Sequence, residues 1–264
     1  MSTLSIAAFL QDDWDADHSV AFDWVGQLGL VGTALFAGIF LFLLARGLLQ
    51  ARLYRAADAL SDAERAELST AIAAAEERTT GEVAIVVLGR SDRHPGAEWL
   101  AGAIAMLLGS ALLAGWLPWD RPVWFFACQA LLGAAGFLSA RWLPGFKRAF
   151  ISEDRADEMV REQALQEFYA HDLHRTRDAT GVLLFVSLLE RRVVVLGDTG
   201  IDAKLDASYW EATTAAILAG LKSGSLARGL SEGLGRCADV LAEHFPRGED
   251  DRNEVHNHVV VRSV

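Results

Sequence analysis

The sequence predicts a small α/β domain, split by a hairpin of membrane helices and preceded by one further membrane helix. Three observations carry this expectation. Residues Thr180 to Ile201 read TGVLLFVSLLERRVVVLGDTGI, in which two β-prone apolar runs, Val182 to Leu188 and Val193 to Leu196, flank the polar connection Glu190-Arg191-Arg192; that is a hairpin signature. Three other stretches are uncharged and as long as the ~20 residues that cross hydrocarbon. Around them, segments of helical and strand periodicity follow one another. Composition agrees, since 52% hydrophobic residues beside 22% charged ones describe a chain divided between lipid-soluble and water-soluble parts.

The totals also exclude some functions. A net charge of −11 opposes a general nucleic-acid role, which needs concentrated Lys and Arg to neutralise phosphates. Cys128 and Cys237 have neither CxxC nor Cys/His ligand spacing, which argues against a disulfide scaffold or a zinc site.

Residues 1–23 hold Asp12, Asp13, Asp15, Asp17 and Asp23 and no Lys or Arg, the opposite of a signal-peptide start. Leu4, Ile6, Phe9, Leu10 and Trp14 are helically spaced, so a surface-lying helix and a disordered acidic tail both fit. Residues 24–45 form the first span, where Gly26, Gly29, Gly32 and Gly38 let another helix approach. The first part of the soluble domain covers residues 56–95. Ser61-Asp62-Ala63-Glu64 is a capping box, Leu68, Ile72 and Ala75 line the helix that follows, and Glu82 opens the buried strand VAIVVLG. Spans at 99–119 and 122–143 are separated only by Asp120-Arg121, and Trp99, Trp116, Trp119, Trp124 and Trp142 cluster near their ends, where the ring prefers the interface.

The second part of the domain covers residues 147–246. Ser152-Glu153-Asp154 caps a helix carried by Ala156, Val160, Ala164 and Phe168 to about His174. After the hairpin, Trp210, Thr214, Ile217, Leu218 and Leu221 outline a helix broken at Lys222-Ser223-Gly224. Leu226, Leu230, Leu234, Cys237, Leu241 and Phe245 outline the last one, stopped by Pro246. The tail, residues 247–264, is polar apart from Val259-Val260-Val261. An insertion that crosses twice returns the chain to the face it left. That face carries Arg46, Arg52, Arg55, Arg90, Arg93, Arg141, Lys147 and Arg148 against Arg121 on the other, so a multi-pass protein of the inner (cytoplasmic) membrane is expected, with a cytoplasmic domain and the N-terminus outside.

The fragments LSDAERAELSTAI, TTGEVAIVV and TGVLLFVSLLERRVVVLGDTGI, with AEHFP and Asn253-Glu254, resemble the TPM-domain family, which includes thylakoid lumen phosphatase-like proteins and a photosystem repair factor. The resemblance runs from about Ala56 to Glu254 apart from the membrane hairpin. It implies a three-layer α/β sandwich with a mixed sheet, the two hairpin strands lying beside the strand that starts at Glu82. It also implies membrane anchoring, a LemA-type membrane protein or a membrane protein complex as partner, and, for some members, a calcium-associated acid phosphatase activity.

If the strands at Glu82 and Val182 run parallel, Glu82, Asp178, Thr180, Asp198 and Asp202 meet at one edge of the sheet. Oxygen donors of that kind suit calcium or magnesium, which would polarise a phosphoryl oxygen or acidify a bound water. Glu82, Asp178, Asp198 and Asp202 are therefore the candidate metal ligands. The alternative is structural: Asp178 and Asp198 capping turns, Glu82 pairing with an arginine, Asp202 opening a helix. Metal-binding members of the family have an acidic residue and an asparagine just before the hairpin glycine, where this chain has Ala179 and Thr180. His171, Asp172 and His174 read as polar residues at a helix end, and Glu190, Arg191 and Arg192 as solvated turn charges. There is no GxSxG elbow, no GxxxxGK[ST] loop and no GxGxxG after a strand. The expected function is a membrane-anchored accessory, assembly or stabilising subunit of a membrane protein complex, working in the lipid bilayer without a cofactor. The alternative is a calcium- or magnesium-dependent acid phosphatase.

Overall fold

The computed structural model describes residues 31–113, 122–205, 207–247 and 259–262. The acidic segment 1–23, the start of the first span, the Asp120-Arg121 turn with Trp116 and Trp119, and Asn253-Glu254 lie outside the described residues. Two compact units emerge, one formed by residues 49–94 with 151–264 and one by residues 1–48 with 95–150.

In the first, the α/β unit, Glu82–Leu88 (β1), Gly181–Ser187 (β2), Arg192–Gly197 (β3) and Val259–Arg262 (β4) form a mixed sheet in the order β3-β2-β1-β4. β1 runs parallel to β2, with Glu82 opposite Gly181 and Leu88 opposite Ser187. The hairpin partner β3 is antiparallel to β2. Parallel neighbours need a long crossover, and here it carries Glu153–Ala170 (α6), capped by Ser152, whose side chain accepts from the Arg155 amide. Val83, Ile85, Val87, Val182, Leu184 and Val186 face a layer built from Asp62–Glu76 (α2), Glu211–Ser223 (α8) and Leu226–His244 (α9). Ala84, Val86, Leu88, Leu183 and Phe185 face Val160, Ala164 and Phe168 of α6. The fold is thus the α/β sandwich expected. Because both faces are covered, β1 and β2 are buried at every position, which is why they read as continuous apolar runs and not as alternating ones.

The capping box is present: the Ser61 hydroxyl accepts from the Glu64 amide while the Glu64 carboxylate accepts from the Ser61 amide at 2.8 Å. α8 and α9 cross where a Cβ on Gly220 would come within 2.5 Å of the Gly229 Cα, so the helix pair depends on glycine there. At the end of α9 the Thr80 amide donates to the Phe245 carbonyl at 3.0 Å and the Thr79 hydroxyl to the same oxygen at 2.6 Å, tying the AEHFP segment to the start of β1.

Two features differ from expectation. Of the two hairpin strands, β2 alone lies beside β1, and β3 sits beyond it at the sheet's edge. The tail's Val259-Val260-Val261 is not a stray apolar run but β4, parallel to the other side of β1. An uncovered row of amides and carbonyls along a central apolar strand invites pairing, and the four residues of β4 cover its Ile85 to Leu88 part. Arg262 at the end of β4 then reaches Glu167 on α6. Burial alone would push Glu167 up, but hydrogen bonds from His171, Gln163 and Arg262 outweigh it and hold the carboxyl below its usual range.

The other unit contains Val31–Leu49 (α1), Pro95–Leu113 (α3), Pro122–Trp142 (α4) and the short Pro144–Lys147 (α5). α1, α3 and α4 are each long and apolar enough to cross a membrane. A Cβ on Gly136 of α4 would lie 2.6 Å from the Ala101 carbonyl oxygen of α3, the close helix approach that small residues permit. Glu98, in the first turn of α3, is buried and accepts from the Lys147 ammonium at 2.6 Å, with Arg141 at 3.4 Å.

Candidate functional site

The edge of the sheet at which β1 and β2 begin and β3 ends gathers most of the candidate ligands. Glu82 is the first residue of β1 and is buried; its amide donates to the Thr180 carbonyl at 3.2 Å. The Thr180 hydroxyl donates to the Thr80 carbonyl at 2.8 Å, and its amide to the Thr176 hydroxyl at 2.9 Å. Asp198 follows β3, and its amide donates to the Gly181 carbonyl at 2.9 Å. Its Oδ1 caps the short helix Thr199–Asp202 (α7) by accepting from the Thr199 amide at 2.7 Å. Its Oδ2 is buried and has no hydrogen-bond partner. Asp202, at the end of α7, has its carboxyl pushed up by burial and by the charge of Asp198. Asp178 is exposed, in the loop before β2.

Asp198 and Asp202 therefore form an interacting carboxylate pair at the edge of the sheet where β1 begins with buried Glu82. The donors are oxygens of the right kind for a hard cation, but a calcium cage takes six to eight of them. Among the described residues no group of three or more His, Cys, Asp or Glu side chains is placed to hold a metal ion. Ala179 has a φ of +53°, a left-handed conformation that Asn or Asp adopts more readily than alanine.

A second polar cluster was not legible as one. Glu190, read as a solvated turn charge, is 0% exposed. Its carboxylate accepts from the Ser187 hydroxyl, lies 2.6 Å from His94 Nε2, and accepts from the Ser91 amide at 3.2 Å. Burial would push Glu190 up, but hydrogen bonds from His94 and Ser187 outweigh it and hold the carboxyl below the usual range. The expectation fails because the connection folds back under the loop after β1, whose amide and imidazole make the carboxylate stable inside. Only the spacing Ser187-x-x-Glu190 hints at this. Ser187 bonds to the carboxylate and not to the imidazole, so the trio does not form a serine nucleophile with its base. Arg192 is bound by Glu153 and Asp157, which raise its pKa further. His171 caps α6, 3.5 Å from Glu167, and the His174 ring lies 4.9 Å from that of Tyr169, the helix-end roles read from the sequence.

Residues 148–240 match the family model of the TPM domain. That segment spans α6, the β2–β3 hairpin, α8 and most of α9, and with it the chain carries a TPM domain. No curated protein matches the chain. Among solved structures it is similar to the NMR structure of the BA42 protein from the psychrophilic bacterium Bizionia argentinensis, at 20% identity over 78% of this chain and 95% of that one, with a TM-score of 0.49.

Proposed function

We propose that this TPM-domain protein is a membrane-anchored accessory subunit whose helices associate with those of a membrane protein complex, or of a LemA-type partner, while the α/β unit lies in the cytoplasm. One observation carries the reading. Val31, Leu35, Ile39 and Phe42 of α1 share one helix face and are all about 60% exposed, and a Cβ on Gly38 of the same face would meet nothing within 4 Å. A bare glycine flanked by large apolar residues is a surface onto which another helix packs closely in lipid, where association is driven by contact and not by water. Crosslinking in intact membranes, followed by identification of partners, tests it. The expected result is a recurrent partner lost on Gly38→Ile; a solitary monomer, or a partner indifferent to that substitution, refutes the reading.

A second reading, a calcium- or magnesium-dependent acid phosphatase, is favoured by the buried, partnerless Asp198 Oδ2 beside Asp202, whose mutual repulsion a cation would relieve. Asp198 and Asp202 would hold the ion, with Glu82 and Thr180 at the same edge of the sheet, and the ion would supply Lewis acidity toward a phosphoryl oxygen. Purified protein would then hydrolyse a generic phosphomonoester, losing activity on chelation and in Asp198→Asn.

A further inference from the structure

The α/β unit contains a cavity of about 550 Å³ floored by Leu188, Leu221 and Leu226, with Tyr54, Arg55 and Arg191 at its wall. That volume lies within the range of small-ligand sites. Arg191 is held at the hairpin tip with a φ of +54°, a conformation that a non-glycine residue keeps only where surrounding contacts hold it. Its guanidinium donates to the Tyr54 hydroxyl at 3.1 Å and sits 5.6 Å from the centroid of that ring. The Tyr54 hydroxyl in turn donates to Gln50 at 3.3 Å, so the phenol orients the arginine.

The contrast with the next residue is informative. Arg192 is bound by two carboxylates, whereas among the described residues neither Arg191 nor Arg55 makes an ion pair, in a chain whose acidic residues outnumber its basic ones by 35 to 24. A guanidinium offers five donors, and Arg191 uses one of them on Tyr54. Asp58, on the same wall, is exposed and pairs with neither arginine. Leu226 opens α9, whose first turn has no acidic residue and whose N-cap Ser225 makes no side-chain cap bond, so the positive end of that helix adds to the field. Two guanidiniums match the several oxygens of a phosphate better than the two of a carboxylate, and the leucine floor requires an apolar body next to it.

We propose that this cavity binds a phosphate-headed amphiphile, the head held by Arg55 and Arg191 and the apolar body laid on Leu188, Leu221 and Leu226. The phosphate could come from a lipid or from a soluble phosphomonoester, and the probes separate the two. Full-length protein in non-ionic detergent is titrated with dioctanoyl phosphatidic acid, with dioctanoyl phosphatidylcholine and with glycerol 3-phosphate, and bound species are counted by native mass spectrometry. Phosphatidic acid binds one to one, at least tenfold more tightly than either of the others. Arg55→Ala and Arg191→Gln each weaken it about tenfold, the worth of one hydrogen bond to a charged group. Arg55 is exposed, so its variant leaves folding intact and keeps the test decisive if Arg191→Gln does not fold. Binding that is unchanged in Arg55→Ala belongs to the apolar helices and overturns the proposal. Glycerol 3-phosphate binding as tightly as the lipid overturns the amphiphile, and equal binding of the choline lipid overturns the role of the arginines.

Discussion

Replacing Glu190 with glutamine keeps the shape of the buried cluster and removes its charge. The carboxylate accepts from Ser187, His94 and the Ser91 amide, and hydrogen bonds to charged groups contribute about 1.5–3 kcal/mol each. Glutamine retains one oxygen acceptor, so two of the three contacts weaken, and His94 stays buried with its 2.6 Å contact to a carboxylate lost. A loss of about 3 kcal/mol follows, near the lower end of what breaking a buried pair costs. At ~2–4 °C per kcal/mol for a unit of this size, the melting temperature of the full chain in detergent falls by about 6–12 °C. The pH dependence gives an independent signature. Because folding lowers the Glu190 pKa, its stabilisation is fully present above the ordinary carboxylate value and is lost as pH falls through the folded value. The gap between wild type and Glu190→Gln is therefore wide at neutral pH and closes in acid. A gap that stays constant down to pH ~3, or no gap at pH 7, refutes the assignment of that energy to the carboxylate.

Other substitutions test the framework. Gly136→Val forces α3 and α4 apart, because even a Cβ would sit 2.6 Å from the Ala101 carbonyl; spin labels on exposed Leu108 and Leu131 should report a longer and broader distance. Arg262→Met removes the tie between β4 and Glu167; with the arginine half exposed the loss is discounted to about 1 kcal/mol, read as roughly five- to tenfold faster amide exchange over Val259–Arg262. Cys237 is buried and its thiol is pushed up to about 12 by burial, so in a Cys128→Ala background a thiol reagent should label it only in denaturant, and labelling of that chain in its native state would show that α9 opens.

Much of the fold was legible because its signals are local. The β2–β3 hairpin is announced by two apolar runs around a short polar turn, the capping box by four consecutive residues, and the three apolar helices by length and missing charge. What escaped depends on distance along the chain. Glu190 looked solvated because its partners Ser91 and His94 lie nearly a hundred residues earlier, and no periodicity links them. β4 is only four residues long and acquires its identity from the vacant edge of β1. At the carboxylate edge, composition named the donors, but composition does not carry the backbone geometry that makes Asp198 a helix cap and leaves Asp178 in solvent.

β1 is the centre of the sheet, yet both of its partners are made after it: β2 follows the two apolar helices α3 and α4, and β4 comes from the end of the chain. At a synthesis rate of ~5–20 residues per second, the strand EVAIVVL waits several seconds with neither edge paired. Low charge, β-branched residues and an open edge make such a segment prone to aggregate. Synthesis of α3 and α4, each long and apolar enough to cross a membrane, occupies that same interval, so any delay there prolongs the exposure of β1. Mutations in the apolar helices would then reduce yield by losing nascent chains, before any effect on the finished protein is felt.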